Sequence, residues 1–211
     1  MKDSYKLLRT SLIFIAILIY GSSNACILKR GDLLFVVEEE SAFSEAIASA
    51  TGDSLNITYI HVAIFDNENR IIEATPKCGV RAISLDKFLS SAPEINGFPG
   101  VVVMRITEKF PVDKVIENAE SHIGEAYDWH FMPDNGEMYC SELVFESYKD
   151  ELGNHMFGNH PMNFRNQDGT MPDFWISLYK KLGEPIPEGE PGTNPNDMSK
   201  EKILMEVFRY F

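Results

Sequence analysis

The sequence predicts an α+β fold, and three of its features point to that class. Short apolar runs rich in β-branched residues, which are typical of strands, fall mainly between residues 33 and 106. Segments with helical periodicity fall mainly between residues 111 and 182. Strands that precede helices favour an α+β fold over a regular alternation of the two. The length of 211 residues and the lack of internal repeats indicate one domain, 26–211, behind an export segment.

The first half is predicted to be a set of strands joined by short turns. The predicted strands, each an apolar or alternating run, are 33–37, 57–65, 70–75, 80–83 and 101–106. Residues 66–69, Asp-Asn-Glu-Asn, form the turn between the second and third strands. Apolar side chains recur on one face of 41–50, which predicts a helix. Ser84 suits the N-cap of a short helix that runs to Leu89.

The second half is predicted to be mainly helical. Its helices are 111–123, which ends before Gly124, then 140–152 and 173–182. Pro111 and Pro172 suit the starts of the first and last of these. Residues 125–138 form a loop rich in aromatic and acidic side chains. We expect the Pro-, Gly- and Glu-rich segment 183–197 to run over the surface, and 203–211 to pack back as a strand or a helix.

Residues 1–25 have the three parts of a signal peptide. The basic residues come first, at Lys2, Lys6 and Arg9. An apolar run over 12–19 follows, and Ser23-Asn24-Ala25 supplies the small residues for cleavage after Ala25. Because this run is too short for a comfortable membrane span, the sequence predicts an exported protein of the periplasm or cell envelope. An uncleaved N-terminal anchor is the alternative.

Charge and cysteine content limit the partners. The net charge is −13, and removal of residues 1–25 leaves 16 basic and 31 acidic residues. Such a chain repels phosphate backbones and anionic lipid, so nucleic acid is an unfavourable partner, whereas amines are tolerated. The chain has three cysteines, and the odd number leaves at least one free thiol. Cys26 directly follows the cleavage site. Two alternatives for it stay open: lipidation, although Ser23 and Asn24 fit a lipobox poorly, and a disulfide with Cys78.

Cys140 is the first candidate for chemistry because it is predicted to begin a helix. The side chains behind it recur at spacings of three and four, which turns its face inward: Leu143, Val144, Ser147 and Tyr148. The unpaired N–H groups of the first turn and the helix dipole favour a thiolate and can hold a developing oxyanion. A buried structural cysteine is the alternative.

His61 and Glu73 are candidates for the base and for the group that orients it. Along strand 57–65 the core face is predicted to carry Ile60, Val62 and Ile64, and the other face Tyr59, His61, Ala63 and Phe65. An imidazole fixed on a strand suits a general base. Glu73 lies among apolar residues of the next strand, where a carboxylate needs a partner. It can hold the imidazole tautomer, completing a nucleophile–base–orienter set, or be an edge-strand glutamate that reaches solvent.

Four segments together resemble a known family. They are Gly31-Asp32-Leu33-Leu34, His61-Val62-Ala63-Ile64, Gly124-Glu125-Ala126-Tyr127-Asp128 and Tyr139-Cys140-Ser141-Glu142-Leu143-Val144. Over residues 31–182 the chain resembles the YiiX-type cysteine peptidases, in the permuted papain-like branch of the NlpC superfamily. The strand histidine precedes the helix cysteine in that branch, as here. Lecithin:retinol acyltransferase-like enzymes share the permutation and usually have a histidine where this chain has Glu73.

The resemblance implies a circularly permuted papain-like fold, in which an antiparallel, partly barrelled sheet packs against helices. It implies a cysteine hydrolase with Cys140 as nucleophile, His61 as base and Glu73 as third member, and cell-wall peptide amides as substrates. Tyr127, with Ser141, is then expected at the oxyanion or in the cleft, or Tyr127 is a plain aromatic anchor. Two alternatives stay open. One is an acyltransferase or lipid amidase with an apolar channel lined by Met132, Phe157, Met162 and Phe164. The other is an inactive binding module.

Two further residues are candidates for substrate binding. Glu142, in the first turn of the predicted helix, suits the helix dipole or a substrate amine. His130, between Trp129 and Phe131, is expected to line the cleft. No metal is expected, because no acidic ligands accompany His155 and His160 at a suitable spacing, and no cofactor is expected, because the chain has no phosphate-binding glycine loop.

The hairpin of strands 57–65 and 70–75 gives a geometric prediction. Paired residues in an antiparallel hairpin share a face, and their numbers have a constant sum. A sum of 134 sets His61 opposite Glu73, whereas an even-length turn with a sum of 135 turns Glu73 to the wrong face. We therefore predict an odd loop or a bulge near 66–69, with left-handed backbone at Asn67 or Asn69, and a hydrogen bond between Glu73 and His61.

Overall fold

A six-stranded antiparallel sheet is the centre of the part of the chain that the computed structural model describes, residues 28–37, 42–51 and 57–211. The strands are β1 (Leu33–Val37), β2 (Tyr59–Phe65), β3 (Arg70–Thr75), β4 (Gly79–Ser84), β5 (Glu94–Ile95), β6 (Phe98–Pro99), β7 (Val101–Ile106), β8 (His160–Pro161), β9 (Pro191–Gly192) and β10 (Leu204–Arg209). The six longer strands pair in the order β10-β7-β1-β2-β3-β4. The four short strands form two separate ribbons, β5-β6 and β8-β9.

Helices pack around this sheet, which confirms the α+β prediction. They are α1 (Ala42–Thr51), α2 (Leu85–Ser91), α3 (Val112–Ser121), α4 (Cys140–Ser147), α5 (Asp173–Leu182) and α6 (Pro195–Met198). The sheet is open, since its edge strands β10 and β4 are not neighbours. In the described part of the chain, no helix is both long and apolar enough to cross a lipid bilayer. The predicted signal peptide and Cys26 lie outside the described residues.

The sheet has a buried core on each face, and β2 contributes to both. Val62 belongs to the core that contains Leu143 of α4. Ala63 belongs to the opposite core, which contains Phe88 of α2. A strand buried on both faces in the middle of a sheet has little freedom to shift. It therefore gives His61 a fixed position.

The Gly31-Asp32 pair locks the start of β1 to its neighbours. Gly31 has a φ of +83°, and a Cβ there would lie 2.8 Å from the Phe110 ring, so this position requires glycine. The buried Asp32 carboxylate accepts hydrogen bonds from Arg105 Nε at 2.6 Å and Nη2 at 2.7 Å. Arg105 lies on β7, the other neighbour of β1. The Gly31-Asp32 pair, which is one of the segments that carry the family resemblance, therefore has a structural role.

The β2–β3 hairpin confirms the predicted odd loop but corrects its register. Ile64 pairs with Ile72 and Phe65 with Ile71, which gives a constant sum of 136 instead of 134. The loop has three residues, 67–69, because Asp66 N–H donates to the Arg70 carbonyl at 3.0 Å. The left-handed residue is Glu68, with φ 37°, and neither of the asparagines that we expected. Continued along the strands, this register sets Glu73 opposite Ala63 and leaves it on the same face as His61.

A bulge in β2 corrects the predicted faces next to His61. Val36 of β1 pairs with His61, but Val37 pairs with Tyr59, so Ile60 is an extra residue between them. Tyr59 therefore joins the core that contains Val62, where the simple alternation placed Ile60. Ile60 instead lines the space on both sides of Cys140. The alternation failed here because a bulge shifts the parity of one strand.

Helix α4 is shorter than the predicted 140–152. Tyr148 leaves helical geometry, with ψ 88°, and its hydroxyl donates to the Gly31 carbonyl at 3.0 Å. The Asp150 carboxylate then accepts the backbone N–H groups of Leu152 and Asn154, each at 2.8 Å. Aspartate that binds nearby backbone N–H groups in this way stabilises a turn in competition with a helix.

The segment 183–197 does not simply run over the surface, as we had expected. Its last residues turn inward, where Thr193, Pro195 and Asn196 are buried. The Asn196 side-chain oxygen accepts the Tyr59 N–H at 3.4 Å, and the Thr193 N–H donates to the Tyr139 hydroxyl at 3.1 Å. These long-range bonds give the segment a fixed path that its composition does not reveal. Residues 204–209 form a strand, one of the two predicted forms.

Candidate active site

Cys140 is the first residue of α4, and the helix start is buried. The cysteine is 6% exposed, and the Leu143 N–H donates to the Tyr139 carbonyl at 3.0 Å, which closes the first turn. The N–H groups ahead of that bond have no partner within a helix. Together with the helix dipole they favour negative charge at the Cys140 sulfur and on a group bound beside it. Cys140 is therefore placed where its predicted role requires.

His61, Glu73 and Arg81 form a chain of side chains across three strands. His61 Nε2 lies 2.9 Å from Glu73 Oε2, as predicted. The other carboxylate oxygen, Oε1, accepts Arg81 Nε at 3.0 Å and Nη2 at 2.7 Å. Because Glu73 occupies Nε2, the remaining ring nitrogen, Nδ1, is the one available to Cys140. The buried carboxylate is thus fully partnered, as its location demands.

The protonated form of His61 is strongly favoured by its neighbours. Burial lowers the pKa of His61, but a hydrogen bond and charge interaction with Cys140, followed by those with Glu73, outweigh it and raise the pKa from 6.5 to about 10. For Glu73, burial raises the pKa, but the hydrogen bonds and charges of His61 and Arg81 outweigh it and lower the pKa below 4.5. Glu73 and the Cys140 sulfur therefore both favour a proton on the imidazole that lies between them.

Tyr127 lies at the junction of the spaces that flank Cys140. Its ring is 7% exposed and packs against Trp129, with ring centroids 5.1 Å apart. Burial, with the nearby charge of Cys140, raises the pKa of Tyr127 well above 10, so its hydroxyl remains a donor. Among the described residues none forms a hydrogen bond with that hydroxyl. Tyr127 is thus both an aromatic anchor and a potential donor to a bound oxyanion.

Two spaces of different character meet at Cys140. A small cavity of about 50 Å³ has mainly apolar walls, including Phe131, Met162 and Trp175, and also contacts Ser141. A wider groove of about 360 Å³ is more polar and contains His61 and Glu73. Cys140, Tyr127 and Ile60 line both spaces. A substrate that crosses the nucleophile can therefore place chemically different groups on its two sides.

Comparison with known proteins identifies the family. A model of the permuted papain-like amidase enzymes of the YaeF/YiiX C92 family matches residues 27–208. The chain belongs to this family. Membership confirms the resemblance in the sequence and the permuted papain-like fold, and it supports an activity of the cysteine hydrolase type.

Two relatives in the C92 family come from Escherichia coli. The uncharacterized protein YiiX of strain K12 is 25% identical over 195 residues, which cover 89% of this chain and 90% of that protein. The crystal structure of the metalloprotein YiiX from strain O157:H7 has a TM-score of 0.69 and 23% identity, and the match covers 88% of this chain and 99% of that one. The structural likeness shows the shared fold.

The description as a metalloprotein applies to that relative. The side chains described in the present chain do not fit a metal site. Within residues 28–37, 42–51 and 57–211, no three His, Cys, Asp or Glu side chains gather in a group that could hold a metal ion. His61 Nε2 and the Glu73 carboxylate are hydrogen-bonded to each other, and the carboxylate is also bound to Arg81.

The other predicted site residues differ in their relation to the cleft. Ser141 is fully buried beside the apolar cavity, and its hydroxyl has no hydrogen-bond partner among the described residues. Glu142 lines neither space at Cys140. Its carboxylate accepts the Tyr139 N–H at 3.4 Å, so it caps α4. Burial, with the charge of Asp128, raises the pKa of Glu142 to about 8.

His130 is also outside the cleft. Its Nδ1 lies 2.8 Å from Glu184 Oε2, and this hydrogen bond raises the pKa of His130. Its backbone N–H donates to the buried Asp128 carboxylate at 2.7 Å, which fixes the loop before α4. His130 lines a third groove with Glu125 and Glu137, and this groove shares Lys77, Cys78 and Tyr127 with the groove that contains His61.

The sequence analysis missed Arg81. It pairs with Glu73 across β3 and β4 in a regular register. A cation directly opposite a buried carboxylate is a favourable cross-strand pair. The signal was therefore present, since Arg81 is the one charged side chain in the predicted strand 80–83. It required the β3–β4 register, which the intervening turn sets.

Proposed function

We propose that this protein is an exported thiol amidase that cleaves an amide bond in cell-wall peptides. Cys140 is the nucleophile, His61 the acid–base group and Glu73 the residue that orients His61. One observation carries the proposal: His61 shares a groove with Cys140 at a helix start while its Nε2 is held 2.9 Å from a buried carboxylate. This is the nucleophile–base–orienter arrangement of covalent hydrolysis.

The reaction proceeds through an acyl-enzyme. Cys140 attacks as a thiolate, because its proton is held by His61; the sulfur forms a bond to the amide carbon, and the carbonyl electrons move to oxygen. The N–H groups at the start of α4 and the Tyr127 hydroxyl stabilise that oxyanion. His61 donates its proton to the amide nitrogen, the C–N bond breaks, and the amine leaves. Neutral His61 then takes a proton from water, which attacks the thioester and releases a carboxylic acid and the Cys140 sulfur.

Glu73 and Arg81 prepare His61 for both steps. Glu73 fixes the ring through Nε2 and stabilises the imidazolium before attack. In the acyl-enzyme the Cys140 sulfur no longer carries negative charge, so one cause of the raised pKa of His61 is removed. The pKa of His61 is therefore lower in the acyl-enzyme than in the resting enzyme, so the imidazole stays neutral after it has protonated the amine and can act as the base for water.

The cell-wall assignment rests on the family resemblance and the predicted export segment. A lipid amidase or acyltransferase is the second candidate, and the apolar cavity at Cys140 favours it. Met162 and Phe164 line that cavity, as an apolar channel would require. Phe157 lies in the core instead, and Met132 is exposed, so only two of the four residues predicted for an apolar channel line the cavity.

Product analysis tests the proposal. Peptidoglycan fragments and lipid extracts are incubated with wild type, Cys140→Ala and His61→Ala, and the products are compared by mass spectrometry. We expect wild type alone to produce a new carboxylate and a new amine from peptide fragments. Lys109→Met is the control, because Lys109 is exposed and lies outside both spaces at Cys140. Release of fatty acid with intact peptides would support the lipid amidase, and unchanged substrates with an unreactive Cys140 would support a binding module.

A further inference from the structure

The groove that contains His61 carries positive charge, although the chain as a whole is strongly acidic. Lys77 and Arg81 line it together with His61. Among its described lining residues Glu73 is the one acidic side chain, and that carboxylate is 3% exposed and bound to His61 and Arg81. A substrate therefore meets cations here without a competing free carboxylate among those residues.

Arg81 retains donors for a ligand. A guanidinium has five N–H groups. Nε and Nη2 each use one on Glu73, and Nη1 uses one on the Cys78 sulfur at 3.1 Å. One N–H on Nη1 and one on Nη2 are left, and the side chain is 30% exposed. The Lys77 side chain is exposed beside it and has no ion-pair partner among the described residues.

The position of His61 shows which part of a substrate lies in this groove. In amide cleavage His61 gives its proton to the leaving nitrogen, so the amine side of the scissile bond lies toward His61. His61 lines the basic groove but not the apolar cavity, and Ser141 lines the apolar cavity but not the groove. The amine side therefore lies toward Lys77 and Arg81, and the acyl side lies toward Phe131 and Trp175.

We propose that Lys77 and Arg81 bind a carboxylate on the amine side of the substrate. The preferred substrate is then an amide with a small apolar acyl group, whose leaving amine is an amino acid with a free carboxylate. Arginine suits this role because two parallel N–H groups match a carboxylate. The proposal rests on the proposed amidase function and gives its substrate class. The acidity of the whole chain had suggested amines, but the residues at the nucleophile favour an anion.

Paired alkylating reagents test the charge of the groove without a known substrate. Iodoacetate and iodoacetamide differ mainly in the carboxylate, and the rate at Cys140 is followed by peptide mass spectrometry. We expect Lys77→Met to lower the iodoacetate rate about threefold or more and to leave the iodoacetamide rate nearly unchanged. Lys109→Met is the control, because Lys109 is exposed and lies outside the groove. An equal effect of Lys77→Met on both reagents would overturn the anion site.

Matched substrates test the assignment to the amine side. N-acetyl amino acids with a free carboxylate or a carboxamide are compared by kcat/KM, and we expect the free acid to be favoured about tenfold in wild type and less in Lys77→Met. Equal cleavage of the two would refute the substrate class. If neither compound is cleaved while iodoacetate labelling still depends on Lys77, the proposed amidase function fails and the anion site stands. If labelling does not depend on Lys77, the anion site fails whatever the hydrolysis.

Discussion

His61 and Glu73 meet diagonally across the hairpin. The β2–β3 register sets Glu73 opposite Ala63, yet its carboxylate lies 2.9 Å from His61 Nε2. Diagonal residues on one face have Cα atoms about 7–8 Å apart, which a long side chain spans. Glutamate has the reach for this contact, and aspartate is one methylene shorter. The same geometry leaves Oε1 for Arg81.

Changes at Glu73 separate its reach from its charge. Glu73→Gln keeps the length of the side chain but removes its charge. Glu73→Asp keeps the charge but shortens the side chain by one methylene. We expect each to lower kcat about a hundredfold, because each weakens support for the imidazolium. In Glu73→Gln the pKa of His61 falls from about 10, since the carboxylate is one cause of its rise. Activity needs a proton on His61, so the alkaline limb of the pH profile moves to lower pH in this variant.

The control for this series is Glu94→Gln, at an exposed glutamate of β5. Its alkaline limb should match that of wild type, where activity declines as the pH rises through about 10. Coincident limbs for wild type and Glu73→Gln would show that Glu73 does not act through His61. Circular dichroism of each variant separates this effect from unfolding.

Thiol labelling tests the pairing of Cys140 with His61. We expect iodoacetamide to react with Cys140 first at neutral pH and about tenfold or more slowly after His61→Ala, because the imidazolium stabilises the thiolate. Cys78, in the same molecule, is exposed, and its sulfur lies 3.1 Å from Arg81 Nη1. Its labelling should not depend on His61, so peptide mass spectrometry supplies an internal control. A parallel loss at both cysteines would indicate a general structural change.

The contact of Cys78 with Arg81 bears on the relative reactivity of the two thiols. The sequence predicts that Cys78 reacts far more slowly than Cys140, because it lies in a turn with no obvious base nearby. The neighbouring guanidinium can stabilise a thiolate there. The order of reactivity stays a prediction, and it now depends on His61 and the helix start favouring Cys140 more than Arg81 favours Cys78.

The sequence predicts those parts of the site whose position depends on a single local rule. The two-residue period of strands puts His61 and Glu73 on one face for any even sum, so their contact was predicted although the sum was wrong. Arg81 pairs with Glu73 by the same simple rule, but the register of β3 and β4 depends on the turn between them. The Ile60 bulge left no pattern in the sequence of β2, because the extra residue is defined only by the pairing of β2 with β1. Residues 193–195 line the cavity, and the segment is held there by contacts of Thr193 and Asn196 with residues more than 50 positions away, which periodicity does not encode.

The export segment gives a prediction outside the described residues. We expect cleavage after Ala25, which the intact mass of the exported protein would reveal. An added mass of acyl chains on Cys26 would indicate a lipoprotein. A protein that keeps Met1 would contradict both forms and favour an uncleaved anchor.

Glu142 gives a prediction about stability that opposes its earlier interpretation as an amine-binding residue. Its carboxyl is buried, and its pKa in the folded protein is about 8, above the ordinary 4.5. As the pH rises from 4.5 to 8, the unfolded chain loses this proton while the folded protein retains it. The contribution of Glu142 to the free energy of unfolding is thus fully present below pH 4.5 and is lost through pH 8.

Glu142→Gln should therefore raise the free energy of unfolding at pH 8.5 by about 1–3 kcal/mol, with little change at pH 4.5. Glutamine stays neutral, and its side-chain oxygen can still accept the Tyr139 N–H. Urea unfolding at the two pH values measures the difference, and Glu151→Gln, at an exposed turn residue, is the control. Because Glu142 lines neither space at Cys140, kcat/KM should change little. A large rise in KM with unchanged stability would instead place its carboxylate on the substrate.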